Sequence, residues 1–138
     1  MLGSPRHFLA FEKKRYPAAY PGMIAVGSTD ENDKKSVFSN FGPWMTVSAP
    51  GSNILSTLPT YMSTGNSGYG KLSGTSMAAP LVTGLAGLIR SQHIGMPPKD
   101  VAKLLQDSAD DLGESGFDKY FGAGRINAFK AAKLVKKR

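Results

Sequence analysis

The sequence predicts an α/β layered fold. Two observations carry that prediction. Short apolar stretches of strand length, closed by Pro or Gly, fill the first half of the chain, and helical segments dominate the second half. Strands mixed with helices favour helix-on-sheet layers over a sandwich. The 138 residues are enough for one domain with a core.

Residues 1–15 are mixed and basic, without a clear period, and are expected to form a loosely attached arm. Tyr16–Gly22 is a loop, because Pro17 and Pro21 force extended or turn geometry on Tyr16 and Tyr20. Trans is the ordinary form of such bonds, and an aromatic–proline pair leaves cis open. Met23–Ser28 is a short buried-type strand, followed by a polar turn over 29–35. Ser36–Gly42 is a short strand or bend that Pro43 ends, and Met45–Ala49 is a further strand closed by Pro50-Gly51. Ser52–Leu58 continues extended to Pro59. Residues 60–71, rich in Gly, Ser and Thr, form a surface loop or loose hairpin.

From Leu81 to Arg90 the chain is apolar on nearly every face, which predicts a buried helix. Gly costs about 0.5–1 kcal/mol in a helix interior, so Gly84 and Gly87 are expected at close packing contacts. Pro80 fits only a first turn, where no donor is needed, which puts the helix start near Thr75 or Ser76. After the break Gly95–Pro98, Lys99–Ser108 is an amphipathic helix with Val101, Leu104, Leu105 and Ser108 on one face. Residues 110–121 are loop-like, and Asn127 caps a last helix over Ala128–Val135.

Composition narrows the function. With no cysteine there is no disulfide framework and no thiolate metal site. The net charge of +7 comes from short clusters at 12–15, 33–35 and 133–138, which read as solvated surface rather than a nucleic-acid groove. No stretch reaches the roughly 18 apolar residues of a membrane span, and residues 1–11 lack a run long enough for a secretory signal. No nucleic-acid or membrane partner is expected.

The chemistry concentrates in Leu72-Ser73-Gly74-Thr75-Ser76-Met77-Ala78-Ala79-Pro80. A helix start leaves backbone N–H groups free and carries the positive end of the macrodipole. A Ser76 hydroxyl placed there can attack a carbonyl while those N–H groups hold the oxyanion. The plain alternative is an ordinary N-cap serine. The pattern is not a nucleophile elbow, because Ala78 stands where that motif has glycine.

Gly74-Thr75-Ser76-Met77-Ala78-Ala79-Pro80 resembles the nucleophile segment of the subtilisin-like serine peptidases, the subtilases. Tyr16–Gly27, Phe38–Gly42, Ala49–Thr57 and Gly122–Ala128 resemble further blocks of that family, in the same order, and the likeness runs from Tyr16 to about Ala132. It implies the C-terminal part of a three-layer α/β fold with a mostly parallel sheet, incomplete in this chain, over residues 16–138. It also implies that Ser76 is the nucleophile of a serine endopeptidase, and that the Thr75 hydroxyl and the Ser76 N–H bind the oxyanion. Tyr16-Pro17 would be the family's cis peptide. The carbonyls of Ala18, Tyr20 and Met23 would match a weak cation site of some members, so calcium is a candidate structural ion, although no carboxylate stands beside them. No other cofactor is implied.

A serine needs a base, and the base an orienting partner. Subtilases present them in the order Asp, His, Ser. Here no Asp or Glu precedes His7, and His93 follows Ser76 by 17 residues, about 25 Å along a straight helix. His93 therefore reads as a polar helix terminus. The family's oxyanion asparagine has no counterpart upstream of Tyr16. Hydrolases ordered Ser, Asp, His also fail, since no histidine follows an aspartate downstream of Ser76.

The expectation is a partial catalytic domain with little activity alone. A complementary N-terminal chain carrying Asp and His would complete it on a peptide or protein substrate. Exposed sheet edges would favour oligomers. The other reading is a non-catalytic remnant that binds a peptide or partner chain through such an edge. The parent family is often secreted, and the sequence leaves the compartment open.

Overall fold

The computed structural model describes residues 12, 14–59, 61 and 68–136. His7, most of the 1–15 arm and the centre of the 60–71 loop lie outside the described residues.

Seven elements follow in order: β1 (Val26–Thr29), β2 (Val47–Pro50), β3 (Ile54–Thr57), β4 (Tyr69–Leu72), α1 (Thr75–Gln92), α2 (Pro98–Asp107) and α3 (Ala128–Val135). β1 and β2 pair in parallel, with Val26 opposite Val47 and Ser28 opposite Ala49. β3 and β4 form an antiparallel hairpin, with Ile54 opposite Leu72. The hairpin thus reaches back to the extended stretch before Pro59, beyond the residues 60–71 expected to form a surface loop or loose hairpin.

α1 lies on the parallel pair, and α2 and α3 pack against α1. The core runs through all three layers. Val47 and Ala49 of β2 meet Ala78, Val82, Leu85 and Ile89 of α1, and behind these lie Leu104, Leu105, Ala131 and Val135. Spacings of three and four residues place the α1 set along one stripe. The predicted α2 face is the buried one: Val101, Leu104, Leu105 and Ser108 are all buried. Asn127 caps α3, its side-chain oxygen accepting from the Lys130 amide at 3.0 Å.

Three expectations change. First, α1 is not buried all round. Leu81 and Leu88 are exposed, and a Cβ added at Gly84 or Gly87 would meet nothing within 4 Å. These glycines make no close packing contact, because no described element covers their face. Second, Pro80 sits one turn further in than a first-turn proline, as the sixth residue of α1. Position 80 therefore offers no N–H to the Ser76 carbonyl. Third, among the described residues neither edge of the parallel pair is bare along its whole length. The outer side of β2 is covered by residues 124–126: the Ser48 amide donates to the Gly124 carbonyl at 2.8 Å and the Ile126 amide to the Ser48 carbonyl at 2.9 Å. The outer side of β1 is covered at its far end: the Ser36 amide donates to the Ser28 carbonyl at 2.9 Å, the Ser28 amide to the Ser39 hydroxyl at 3.0 Å, and Thr29 bridges Lys35, which leaves only the Val26 end without a described neighbour.

Gly124 explains how the same segment comes so close to Asp110 on its other side. Its φ of +115° suits glycine, and a Cβ there would overlap the Asp110 backbone. Arg125 and Asp110 then exchange backbone hydrogen bonds at 2.9 and 2.7 Å.

Candidate active site

α1 begins at Thr75 with no side-chain cap. Gly74 takes the N-cap position in extended backbone, and its carbonyl accepts from Met77 and Ala78 at 2.9 and 3.3 Å. The amides of Thr75 and Ser76 precede the first intrahelical bond, so the helix gives them no acceptor. The Ser76 side chain is exposed and Thr75 is half-buried. Ser76 does not cap the helix; Gly74 holds that position. Thr75 and Ser76 stand at one helix end, with a hydroxyl and two open amides.

Gly51, at the end of β2, fixes where that end lies. Its amide donates to the Thr29 carbonyl at 3.0 Å, and its carbonyl accepts from the Gly74 amide at 2.7 Å. A Cβ at Gly51 would stand 2.8 Å from the Gly74 oxygen and would strike the Ser28 hydroxyl. Behind it runs a chain of hydroxyls, Ser28 to Ser36 and Ser36 to Ser52, each link 2.8 Å. The Ser39 hydroxyl accepts from the Ser28 amide at 3.0 Å. Pro50-Gly51 reads in the sequence as a strand end. The serines that support it follow no period, and their contacts span up to 16 residues, so no local signal marks them.

His93 caps the far end of α1, its amide bonding to the Ile89 and Arg90 carbonyls. The structure thus keeps it away from Ser76, and no described histidine faces the Ser76 hydroxyl. Tyr16-Pro17 is cis. Ala18, Tyr20 and Met23 are exposed in the loop that follows, and the Tyr20 carbonyl accepts from the Met23 amide at 3.2 Å. Oxygen donors of this kind suit calcium, and with three carbonyls, one of them also accepting a hydrogen bond, water would supply the rest of its roughly six to eight ligands. Among the described residues no group of three or more His, Cys, Asp or Glu could hold a metal ion.

A cavity of about 140 Å³ opens beside Thr75. Arg15 and Asn40 line it. The sequence placed Arg15 only in a solvated basic cluster.

A family model for the subtilases matches residues 9–124. The chain belongs to the subtilase family. Thermitase of Thermoactinomyces vulgaris is 48% identical over 116 residues, which are 84% of this chain and 38% of that protein. Subtilisin DY of Bacillus licheniformis is 40% identical over 117 residues, 85% of this chain and 39% of the relative. The halolysin-like extracellular serine protease Nep of Natrialba magadii is 43% identical over 113 residues, 82% of this chain and 19% of Nep. Among solved structures, a lanthipeptide protease aligns over 86% of this chain and 44% of its own, with a TM-score of 0.78 and 30% identity. Fervidolysin from Fervidobacterium pennivorans, a keratinolytic enzyme related to subtilisin, aligns over 86% of this chain and 20% of its own, with a TM-score of 0.77 and 33% identity. The subtilase therefore spans about two-fifths of the length of thermitase and subtilisin DY. Its elements form part of the subtilisin-like α/β architecture.

Proposed function

We propose that this subtilase segment supplies the nucleophile of a serine endopeptidase, and that Ser76 carries it. The supporting observation is an exposed, uncapped serine hydroxyl beside the open amides of Thr75 and Ser76 at the head of α1, in a chain of this family.

In the proposed reaction the Ser76 Oγ attacks the scissile carbonyl, and its proton passes to an imidazole. The Ser76 amide and the Thr75 hydroxyl hold the oxyanion. The amine leaves with the proton, and water then hydrolyses the acyl-serine. The imidazole and its aspartate come from a complementary N-terminal subtilase chain, because no described histidine stands at Ser76. Alone, the segment has little activity. A secreted setting is supported by relatives such as the extracellular protease Nep.

A fluorophosphonate tests this directly, forming an Oγ–P bond with loss of fluoride. Labelling is expected when the chain is mixed with an N-terminal subtilase segment bearing Asp and His, and Ser76→Ala abolishes it. No labelling of the mixture would favour the other reading, a remnant that binds a peptide or partner chain through an exposed sheet edge, for which the Val26 end of β1, without a described strand on its outer side, speaks.

We also propose a weak structural calcium ion on the carbonyls of Ala18, Tyr20 and Met23. The support is their position in one exposed turn. Thermal unfolding in calcium against chelator should then differ by a few degrees, in line with ligand linkage. Identical curves would remove the ion.

A further inference from the structure

We propose that Ser36 is a positioning residue for the Ser76 nucleophile, acting through Ser52, Gly51 and Gly74. The proposal rests on the reading of Ser76 as the nucleophile.

Ser36 is 4% exposed, and its polar groups are all engaged. Its amide donates to the Ser28 carbonyl at 2.9 Å. Its carbonyl accepts from the Ser39 amide at 2.9 Å and from Lys35 Nζ at 3.2 Å. Its hydroxyl meets two others, those of Ser28 and Ser52, at 2.8 Å each. A hydroxyl carries one proton and two lone pairs, so a single side chain serves both neighbours. The two ends of this bridge lead to different elements. Ser28 belongs to β1, and its hydroxyl fills the space that a Cβ at Gly51 would need. Ser52 follows Gly51 directly, in the segment that holds the head of α1 by two bonds. The Gly74 amide donates to the Gly51 carbonyl at 2.7 Å, and the Asn53 amide to the Ser73 hydroxyl at 2.9 Å. Ser36 thus ties β1 to the residues that hold Ser73 and Gly74, and Thr75 and Ser76 come next in the chain.

Packing alone does not call for linked hydroxyls here. Apolar side chains of the same shape fill such a place with little change in stability, whereas a hydrogen bond adds a set length and direction. Oxyanion donors need that precision. They act from about 2.7–3.1 Å, and a shift of about 1 Å can cost on the order of a hundredfold in rate. The Thr75 and Ser76 amides follow Gly74, whose own amide is fixed by the Gly51 carbonyl. Removing the Ser36 hydroxyl releases Ser52 and leaves the Ser28 hydroxyl without its side-chain partner against the Gly51 α-carbon. Gly51 then shifts, and Gly74 and the open amides shift with it.

The test uses the full chain with Ser36→Ala, with Ser52→Ala, and with Ser108→Ala as control. Ser108 is a buried serine at the end of α2, its hydroxyl donating to the Leu105 carbonyl at 3.3 Å. Amide chemical shifts are followed in each chain alone. The kinetics of fluorophosphonate labelling are followed with a saturating N-terminal subtilase segment bearing Asp and His. Ser36→Ala and Ser52→Ala should both move the Gly74, Thr75 and Ser76 amides. Both should lower the maximal labelling rate roughly fivefold to tenfold, the factor that one net hydrogen bond is worth. The probe concentration giving half that rate should stay the same. Ser108→Ala should alter neither these amides nor the rate, although it costs stability. Ser52 is only half-buried, so its variant decides the matter should Ser36→Ala fail to fold. Unmoved amides, an unchanged maximal rate, or the same slowing in Ser108→Ala would overturn the proposal. A parent chain that labels, with a rate indifferent to Ser36→Ala and Ser52→Ala, sinks only the positioning role. A parent chain that never labels, with Gly74 and Thr75 amides moved by both variants, sinks only the nucleophile and supports the link from Ser36 to the head of α1.

Discussion

The Asp110 carboxylate accepts from three side chains at once. Lys130 Nζ lies at 2.7 Å, Arg125 Nη2 at 2.9 Å and Asn127 Nδ2 at 3.0–3.1 Å. Arg125 also pairs with Asp33. The Lys130 hydrogen bond, then that of Arg125, pulls the Asp110 pKa down from 3.8 to about 2. A carboxyl whose folded pKa is depressed stabilises fully above its unfolded value and loses that contribution as pH falls through the folded one. Asp110 therefore adds stability above about pH 4 and loses it between about pH 4 and pH 2. Asp110→Asn should cost about 1–2 kcal/mol in urea unfolding at neutral pH, since the pairs are partly solvent-screened. The cost should shrink towards pH 2. An equal cost at both pH values would show that charge is not what Asp110 contributes. Nothing in the sequence singles out Asp110, because its partners lie 15 to 20 residues away and Asp33 joins through Arg125 across 92.

Among elements, α1 shows two faces of opposite character. Leu85 is buried against the core, whereas Leu88, three residues on, is 59% exposed. Leu85→Ala should cost about 2–5 kcal/mol through a cavity. Leu88→Ala should stay within about 0.5 kcal/mol. Comparable losses for both in urea unfolding would mean that the outer face is covered after all. The helix itself is plain in the sequence from its apolar run and Pro80, as are α2 from its stripe and α3 from the Asn127 cap. These are local signals, set by spacing and by single capping groups. Which face of α1 is open is not local. An all-round apolar helix fits burial on every side, and only the arrangement of distant elements decides which sides are met. β1 and β2 were legible as apolar runs closed by Pro or Gly, whereas β4 lay in a stretch that read as loop, and no pairing was legible. β2 is covered by residues more than seventy positions later, and no short-range pattern encodes that.

On the scale of the whole molecule, the site divides in the same way. The nucleophile segment could be read directly, because Ser76, its glycine and its proline are consecutive. Gly51 and the serines behind it could not, since their role arises where a strand end meets a helix start. Arg15 was legible only as a surface charge, because its place in the wall of the cavity beside Thr75 depends on Trp44 and Met45, some thirty residues later. The cover laid on β2 by residues 124–126 has a further consequence, for the order of synthesis. A polypeptide leaving the ribosome from its N-terminus displays β2 about 75 residues before Gly124 emerges, several seconds at roughly 5–20 residues per second. Throughout that interval the strand is a bare template for neighbouring nascent chains. The cell must shield it or outrun its misuse, so a segment translated some 75 residues later acts as this subtilase's own safeguard against aggregation at that edge.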